Sequence, residues 1–365
     1  MAFILTFLGK GGVGCTTMAI ASAKKYAQAG QKVLLAVQDS TPSFSIQLGA
    51  TVSSEITEIS PNLNVIQLHS TQLLEASWEQ LKQLEAKYLR SPVLNNIYGQ
   101  ELALLPGMDS ALALNYIREK DTEYDVIIYD GKTSLNSLRM FGIPDTLSWY
   151  IRRVKNLLEN SDIVKALSPF VQPVSSAVLN VSWNADNFTN NESTREADQI
   201  LEQGKKAIND PNRVCAFLVT KETKEAIATS RYWWGSAQQV DLRVGGVLLN
   251  QGEITSEIVT AFNPIPVTTI PTLTGDNWEK LSQALPDFQN QAKQAPTPLV
   301  IDTANREVKV YLPGFDKKQV KLSQSGPELT ISAGDQRRNI FLPPTLKGQS
   351  VKGAKFQDAY LVITL

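Results

Sequence analysis

The chain has 365 residues, a formal net charge of −1 and an apolar fraction of 42%, which is ordinary for a soluble globular protein. Its length fits two or three domains of about 150 residues each. Its near-neutral net charge gives no indication of a nucleic-acid-binding protein, which typically has an excess of positive charge. Cys15 and Cys215 form neither a disulfide framework nor a CxxC metal pair. The apolar N-terminus is too short for a signal peptide or a membrane span. We therefore expect a cytoplasmic protein without an integral membrane segment.

Six short apolar runs predict buried strands, and longer helical stretches such as residues 16–29 and 77–89 separate most of them. The runs are AFILTFL, KVLLAVQ, LNVIQL, YDVIIYD, CAFLVT and VGGVLLN. Alternation of strand and helix is typical of a mostly parallel sheet with helices on both faces. The sequence therefore predicts an α/β core.

The stretch GKGGVGCTTM joins the first predicted strand to the first predicted helix and is nearly a phosphate-binding loop. Such a loop reads Gly, four residues, Gly, Lys, then Ser or Thr, so Gly9, Gly14 and Thr16 fit. Cys15 stands where the lysine belongs. Backbone N–H groups at the start of a helix can cradle phosphates, and the alternative is a glycine-rich turn that only packs strand against helix. The residues predicted to bind nucleotide here are Gly11, Gly12, Val13, Gly14, Cys15, Thr16 and Thr17.

Two aspartates follow predicted strands, Asp39 in KVLLAVQDS and Asp130 in YDVIIYDG. Ligands of open α/β sheets bind at the carboxyl ends of the strands. Thr16 and Asp130 are therefore predicted to hold Mg²⁺, while Asp39 is predicted to orient the attacking water or act as its base. Either aspartate could instead cap a helix or stabilise a turn.

Residues 131–212 contain no convincing strand and predict a helical insertion in the α/β core. The segments IPDTLSWYIRRVKNLLEN and DIVKALSPFVQPVSSAVLNVSW are typical of helices and turns, and NADNFTNNESTREAD predicts an exposed loop. One apolar stripe has helical spacing, which fits either a core-facing side or a surface for a partner. Its members are Leu147, Tyr150, Ile151, Val154 and Leu158.

The segment NQAKQAPTPLV lacks helical periodicity and predicts a linker, and we place the domain boundary near Ala295. Short alternating segments follow: REVKVYLP, QVKLSQS, ELTISAG, RRNIFLP and AYLVITL. Alternation punctuated by Gly and Pro predicts a small antiparallel β-sandwich. The predicted domains are thus 1–295 and 296–365.

The phosphate loop resembles that of the ArsA-type ATPases, the family of the arsenite-pump ATPase and the tail-anchored-protein targeting ATPase. Their loop reads KGGVGKTT, with an early lysine at the position of Lys10. LLAVQDSTPSFSIQLG and YDVIIYDGKTSLNSLRMFGIPDTLSWYIRR resemble the family's two switch regions, and ELALLPGMDSALAL resembles a helical segment. VGGVLLNQ resembles the strand whose asparagine recognises adenine, which would be Asn250. The resemblance covers about residues 1–286.

This resemblance implies a P-loop NTPase fold, ATP and Mg²⁺ as ligands, and a homodimer in which Lys10 reaches the partner's nucleotide. It also implies a hydrophobic groove for client protein segments in the helical part. The switch regions depart from the family pattern at residues 40–42 and 131–136, and the family's zinc and arsenite cysteines are absent. We therefore do not expect arsenite transport.

The missing lysine bridges phosphate oxygens and neutralises charge in the transition state. Losing one such donor costs on the order of 100–1000-fold in rate, about 3–4 kcal/mol. We expect ATP binding with slow or absent hydrolysis, with Lys10 as a partial substitute and Lys132 as a weaker one. Cys15 itself fits either a small buried filler or a redox-sensitive thiol at a helix start.

The last 60 residues or so resemble the α-crystallin domain of small heat-shock proteins, through the stretches YLPGFDKKQVKL, ELTISAG, NIFLP and AYLVITL. Such a domain could pair through its open strand edges or pack passively on the ATPase. The leading expectation is a nucleotide-controlled homodimeric chaperone or targeting factor for hydrophobic protein segments. The alternative is a non-hydrolysing scaffold or holdase that kept the fold.

Overall fold

The computed structural model describes residues 1–88, 97–158 and 191–365. The predicted segment DIVKALSPFVQPVSSAVLNVSW lies outside the described residues, and so do residues 184–190 of the Asn-rich stretch. The side chains of Val154 and Leu158, the last two of the apolar stripe, are also outside the described set.

The first module consists of strands and helices that alternate along the chain. Its strands are β1 (Phe3–Gly9), β2 (Val33–Val37), β3 (Thr57–Ser60), β4 (Leu63–Gln67), β5 (Val126–Asp130), β6 (Val214–Thr220), β7 (Val244–Asn250) and β8 (Val267–Ile270). Its helices are α1 (Cys15–Gln28), α2 (Pro42–Leu48), α3 (Ser70–Tyr88), α4 (Met108–Lys120), α5 (Ser134–Leu158), α6 (Asn191–Asn209), α7 (Lys224–Gln238), α8 (Ser256–Phe262), α9 (Trp278–Ala284) and α10 (Phe288–Gln294).

These eight strands form one sheet in the order β3-β4-β2-β5-β1-β6-β7-β8. Neighbouring strands are parallel except β3 and β4. Strand β1 is apolar except at Thr6 because both faces of the sheet are covered: Phe7 packs into one hydrophobic cluster and Leu8 into another. The predicted α/β fold with a mostly parallel sheet is confirmed.

The strand order brings the candidate site residues to one edge of the sheet. Strand β5 lies between β1 and β2, and Val37 at the end of β2 pairs with Asp130 at the end of β5. Asp39 follows two residues after Val37, and the glycine-rich loop begins at Gly9, where β1 ends. The predicted nucleotide site therefore has its parts at the carboxyl ends of three adjacent strands.

The Asn-rich stretch is helical from Asn191 onward, so the exposed loop predicted for residues 191–198 is wrong. Helix α6 packs Ile200 and Leu201 against Ile143 of α5. This apolar contact stabilises a helix whose first turns look too polar to be ordered, because tertiary packing outweighs local composition.

The first half of the predicted linker is also wrong, because α10 extends to Gln294. The Asp287 carboxylate caps this helix by accepting a hydrogen bond from the Asn290 N–H at 3.1 Å. Phe288 and Ala292 are fully buried on its inner side. One buried pair four residues apart is too short a pattern to register as helical periodicity.

The second module is a sandwich of two antiparallel sheets, as predicted. Its strands are β9 (Leu299–Asp302), β10 (Glu307–Tyr311), β11 (Val320–Ser325), β12 (Glu328–Ala333), β13 (Gln336–Phe341), β14 (Gly353–Gln357) and β15 (Tyr360–Thr364). One sheet has the order β14-β15-β10-β9 and the other β11-β12-β13. Val310, Ile331 and Ile363 belong to the core between them.

The sandwich is packed closely on α7 of the first module. The Trp234 ring lies 5.8 Å from the Tyr311 ring of β10, centroid to centroid, in an edge-to-face arrangement. A side chain at Gly235 would meet the Phe315 ring at 2.6 Å, so the helix approaches the sandwich as only glycine allows. The buried Arg338 donates to the Gln238 carbonyl oxygen at 2.8 Å. Within the described ranges, no helix combines the length and apolarity needed to cross a bilayer.

Candidate functional site

The glycine-rich loop connects β1 to α1 with two glycines in left-handed backbone conformations. Gly12 has a φ of 83° and Gly14 a φ of 105°, values that residues with a Cβ rarely adopt. Gly14 is the N-cap of α1, and no side chain caps that helix. The N–H groups of its first turn therefore lack intrahelical partners, which is the arrangement that binds phosphate at helix starts.

Asn250, at the end of β7, holds the loop from the side. Its Nδ2 donates to the Val13 carbonyl oxygen at 2.7 Å in a buried contact. The same atom would lie 2.6 Å from a Cβ at Gly14. Asn250 was predicted from sequence to recognise adenine, and in this structure its amide group positions the loop.

The three other residues predicted for metal and catalysis lie together beside α1. The Thr16 side chain is half-buried in the first turn of α1 and lies near the buried Asp130 carboxylate. Burial, together with the nearby charge of Asp39, raises the pKa of Asp130 to about 7, and the Thr16 hydroxyl opposes this rise. Thr16 and Asp130 thus offer two oxygen ligands near a second carboxylate, that of Asp39.

Asp39 occupies the turn before α2. One carboxylate oxygen accepts a hydrogen bond from the Thr41 N–H at 2.9 Å, and the other accepts from the Thr41 hydroxyl at 3.0 Å. These contacts match the turn-stabilising alternative considered for Asp39. Each oxygen keeps a lone pair for a further hydrogen bond, so these contacts orient the carboxylate without preventing a base role.

An open pocket of about 510 Å³ lies at the ends of β6, β7 and β8, next to Asn250. Its volume falls within the range of about 300–1,000 Å³ typical of small-molecule sites. The lining residues are Glu222, Gln251, Gly252, Glu253, Thr269, Ile270, Pro271 and Thr272. Asn250, which is hydrogen-bonded to Val13 of the loop, directly precedes Gln251 of the pocket lining.

A sequence model of the anion-transporting ATPases, the ArsA_ATPase family, matches residues 1–273. The chain belongs to this family. A second model, of the HSP20-like domain found in ArsA, matches residues 303–365. The resemblances of both modules expected from the sequence are therefore confirmed.

Two relatives of this ArsA-type chain are distant but extend over nearly its whole length, and a third matches less than half of it. A putative arsenical pump-driving ATPase of Chlorobaculum tepidum is 26% identical, with 99% of this chain and 95% of that protein covered. Putative arsenical pump-driving ATPase 1 of Aquifex aeolicus is 23% identical, with 99% of each covered. The ATPase GET3 of Malassezia globosa is 28% identical over 46% of this chain and 48% of its own length.

In this ArsA-type ATPase, the Cys15 thiol is uncharged. Burial raises the pKa of the thiol, and the negative charge of Asp130 raises it further. This outweighs the effect of the helix start, which on its own would lower the thiol pKa. A protonated thiol of low reactivity favours the small filler among the two alternatives for Cys15. Lys10 and Lys132 are both exposed at the edge of the site.

Two further contacts to the loop escaped the sequence reasoning. The Ser134 hydroxyl accepts from the Gly9 N–H at 2.9 Å and donates to the Gly9 carbonyl oxygen at 2.9 Å. Gln47 of α2 donates through Nε2 to the Thr17 hydroxyl at 2.6 Å. Ser134 stands in a region that differs from the family pattern, and nothing in its own spacing indicates a partner 125 residues away.

Proposed function

We propose that the chain binds ATP with Mg²⁺ at the loop between β1 and α1. The observation that carries the proposal is the combination of an uncapped helix start, left-handed glycines and the half-buried Thr16 near the buried Asp130 carboxylate. Burial and the charge of Asp39 both disfavour the ionised form of Asp130, and a bound divalent cation would stabilise that form. Thr16 and Asp130 would hold Mg²⁺, which neutralises phosphate charge. The backbone N–H groups of Gly11 to Thr17 would bind the phosphates.

The open pocket beside Asn250 is the place we propose for the nucleobase. Its lining includes Gln251, one residue after Asn250, which holds the loop through Val13, and its volume is that of a small-molecule site. Asn250 would then connect the phosphate site with the nucleobase site. It holds the loop through Val13, and its neighbour Gln251 lines the pocket.

We propose that hydrolysis is slow because Cys15 supplies no charge to the phosphates. Its neutral thiol leaves developing transition-state charge to Mg²⁺, to the backbone and to a Lys10 side chain from a second copy. Ground-state binding depends less on the missing lysine because backbone N–H groups carry much of it.

The decisive experiment is calorimetric titration of wild type and Cys15→Lys with ATP and ADP, followed by phosphate release. Wild type is expected to bind ATP and turn it over near background, and Cys15→Lys is expected to raise turnover by on the order of 100–1000-fold. Lys10→Ala should remove what activity the wild type has. Robust wild-type turnover that survives Lys10→Ala would contradict the proposal.

We further propose a homodimer that pairs the nucleotide faces. Helix α2 contacts the loop through Gln47, and its neighbour Ile46 is 78% exposed. A partner copy that faced the loop would cover this side chain and gain the free energy of burying it.

Ile46→Glu tests the dimer by light scattering after size exclusion, with and without ATP and Mg²⁺. A charge in the centre of an apolar contact should leave a monomer. Val300→Glu, at a 43% exposed residue of the sandwich strand β9, is the matched control and should leave the dimer intact. A dimer unaffected by Ile46→Glu would show that α2 is not at the interface.

The client of such a dimer would be a hydrophobic protein segment, in line with the ATPase GET3 among the relatives. Leu147 and Ile151 of the predicted stripe pack inward against Ala111 and Leu201. Tyr150, on the adjacent side of α5, is 54% exposed.

A cytoplasmic location and the absence of a nucleic-acid partner stay predictions.

A second candidate function is a scaffold or holdase that binds ATP without hydrolysing it. It is favoured by the departures from the family pattern at residues 40–42 and 131–136 of the two switch regions. In that case Cys15→Lys would bind ATP without gaining turnover, which separates this function from an impaired hydrolase.

A further inference from the structure

Helix α5 contacts the phosphate loop at one end and the sandwich at the other. At its first residue, the Ser134 hydroxyl is hydrogen-bonded to both the N–H and the carbonyl oxygen of Gly9, each at 2.9 Å. Four turns later, Trp149 Nε1 donates to a carboxylate oxygen of Glu328, the first residue of β12, at 3.3 Å. One helix therefore joins the start of the phosphate loop to the C-terminal module.

The Glu328 carboxylate is enclosed by cationic groups of α5. Its side chain is 11% exposed and lies 3.9 Å from the guanidinium groups of both Arg152 and Arg153. The Arg152 guanidinium also lies 5.6 Å from the ring centre of Phe341, which is paired with Glu328 across strands β12 and β13. A carboxylate so enclosed is stabilised only while these partners stay in place.

Pro144 interrupts α5 between these two ends. Proline lacks the N–H that would bond to the carbonyl four residues back, so it is where a helix bends most easily. The direction of residues 145–158 relative to residues 134–143 therefore depends on contacts outside the helix. The contacts of Trp149, Arg152 and Arg153 with Glu328 are such contacts.

We propose that the sandwich controls the nucleotide loop through α5, with Glu328 as the positioning residue. Glu328 fixes the far half of α5, and Ser134 transmits that position to Gly9 at the start of the loop. Ligand binding at the loop and docking at Glu328 then stabilise each other, because a coupling between two sites is reciprocal. The inference rests on the proposed function only in taking nucleotide as the loop's ligand.

Glu328→Gln in the full chain tests this coupling, since it keeps the shape of the side chain and removes its charge. Hydrogen exchange of the Gly9 amide, which donates to Ser134, is measured first without nucleotide. We expect faster exchange at Gly9 in Glu328→Gln than in wild type. Glu307→Gln is the matched control, because Glu307 pairs with Lys309 at 3.0 Å on β10, within the sandwich. Exchange at Gly9 equal to wild type would overturn the proposal.

ATP affinity is measured next, with a double-mutant cycle that separates coupling from simple damage. Glu328→Gln should weaken ATP binding by about 5-fold or more, which is the low end of allosteric couplings. In a Ser134→Ala background the same substitution should have little effect, because the connection to Gly9 is already broken. Effects on the affinity that simply add would show that α5 does not carry the coupling.

Two measures keep the test decisive. Arg153→Gln, at a half-exposed side chain, removes one partner of Glu328 and replaces Glu328→Gln if that variant does not fold. If wild type does not bind ATP, the proposed function fails, and exchange at Gly9 in the nucleotide-free variants still decides whether the sandwich acts on the loop.

Discussion

In the phosphate loop, the positive side chain of the family pattern is missing, while the backbone conformation that binds phosphate is present. Cys15 brings no positive charge, and burial with the neighbouring Asp130 keeps its thiol protonated. The left-handed Gly12 and Gly14 and the uncapped start of α1 remain, and these depend on the main chain alone. We therefore expect binding and catalysis to separate at Cys15, because backbone N–H groups bind phosphate in the ground state while the lysine of the family pattern acts mainly on the transition state.

Gly14→Ala should damage the loop far more than Gly11→Ala. Gly14 combines a φ of 105° with a Cβ position only 2.6 Å from Asn250 Nδ2, whereas a Cβ at Gly11 would meet nothing within 4 Å. We expect Gly14→Ala to lower the free energy of unfolding by about 1–3 kcal/mol and to abolish ATP binding. Urea denaturation and calorimetry measure the two effects. Equal behaviour of the two variants would mean that Asn250 does not hold the loop.

Strands buried along their whole length were predictable, and four short strands at sheet edges were not. The strands β1, β2, β5, β6 and β7 are buried almost throughout, because helices cover both sides of the sheet. The edge strands β11 and β13 were predicted because their residues alternate between apolar and polar. The missed strands are short, partly exposed and at sheet edges. They are β3 (TEIS), β8 (VTTI), β9 (LVID) and β14 (GAKFQ). Their conformation is set by the hydrogen bonds of a neighbouring strand, and such a cause leaves no periodic pattern in their own residues.

Helix α7 contains Gly235, a residue type of low helix propensity, at its contact with the sandwich. Replacing a helix-interior Gly by Ala normally stabilises a helix by about 1 kcal/mol. At Gly235, however, the new methyl group would overlap the Phe315 ring and the Pro313 carbonyl oxygen of the sandwich.

We therefore expect Gly235→Ala to lower the free energy of unfolding by about 1–3 kcal/mol, the cost of overpacking a closed contact. Ala228→Gly, at an exposed site of the same helix, calibrates the propensity term and should cost about 0.5–1 kcal/mol. Thermal unfolding of both variants provides the comparison. A stabilised Gly235→Ala protein would mean that the sandwich does not press on α7.

The site as a whole is assembled from parts that are far apart in the chain. Asn250 reaches Val13 across 237 residues and Ser134 reaches Gly9 across 125. The sequence predicted the loop and the two aspartates from local patterns, since each of them follows a strand. It did not predict that Ser134 and Gln47 hold the loop, because such contacts depend on the strand order and on helix placement.

The two modules share a buried polar contact as well as apolar packing. Arg338 of β13 is 2% exposed and forms an ion pair with Asp241, which follows α7. Asp145 of α5 belongs to the same group: burial and the charge of Asp241 raise its pKa, and Arg338 opposes that rise. One cation from the sandwich thus stabilises two carboxylates of the ATPase module.

Arg338→Ala should therefore destabilise both modules and not the sandwich alone. Breaking a fully buried ion pair from one side costs about 3–5 kcal/mol, and we expect a smaller loss here because the Asp241 side chain is 33% exposed to water. Arg337→Ala, at the exposed neighbouring residue, is the control and should change the free energy of unfolding by no more than about 0.5 kcal/mol. Urea denaturation measures the change in the free energy of unfolding, and hydrogen exchange shows which elements are affected. We expect α5 and the end of α7 to lose protection from exchange together with β12 and β13. Loss confined to the β12–β13 hairpin would show instead that the sandwich unfolds as an independent unit, with no hold on the helix that reaches the nucleotide loop.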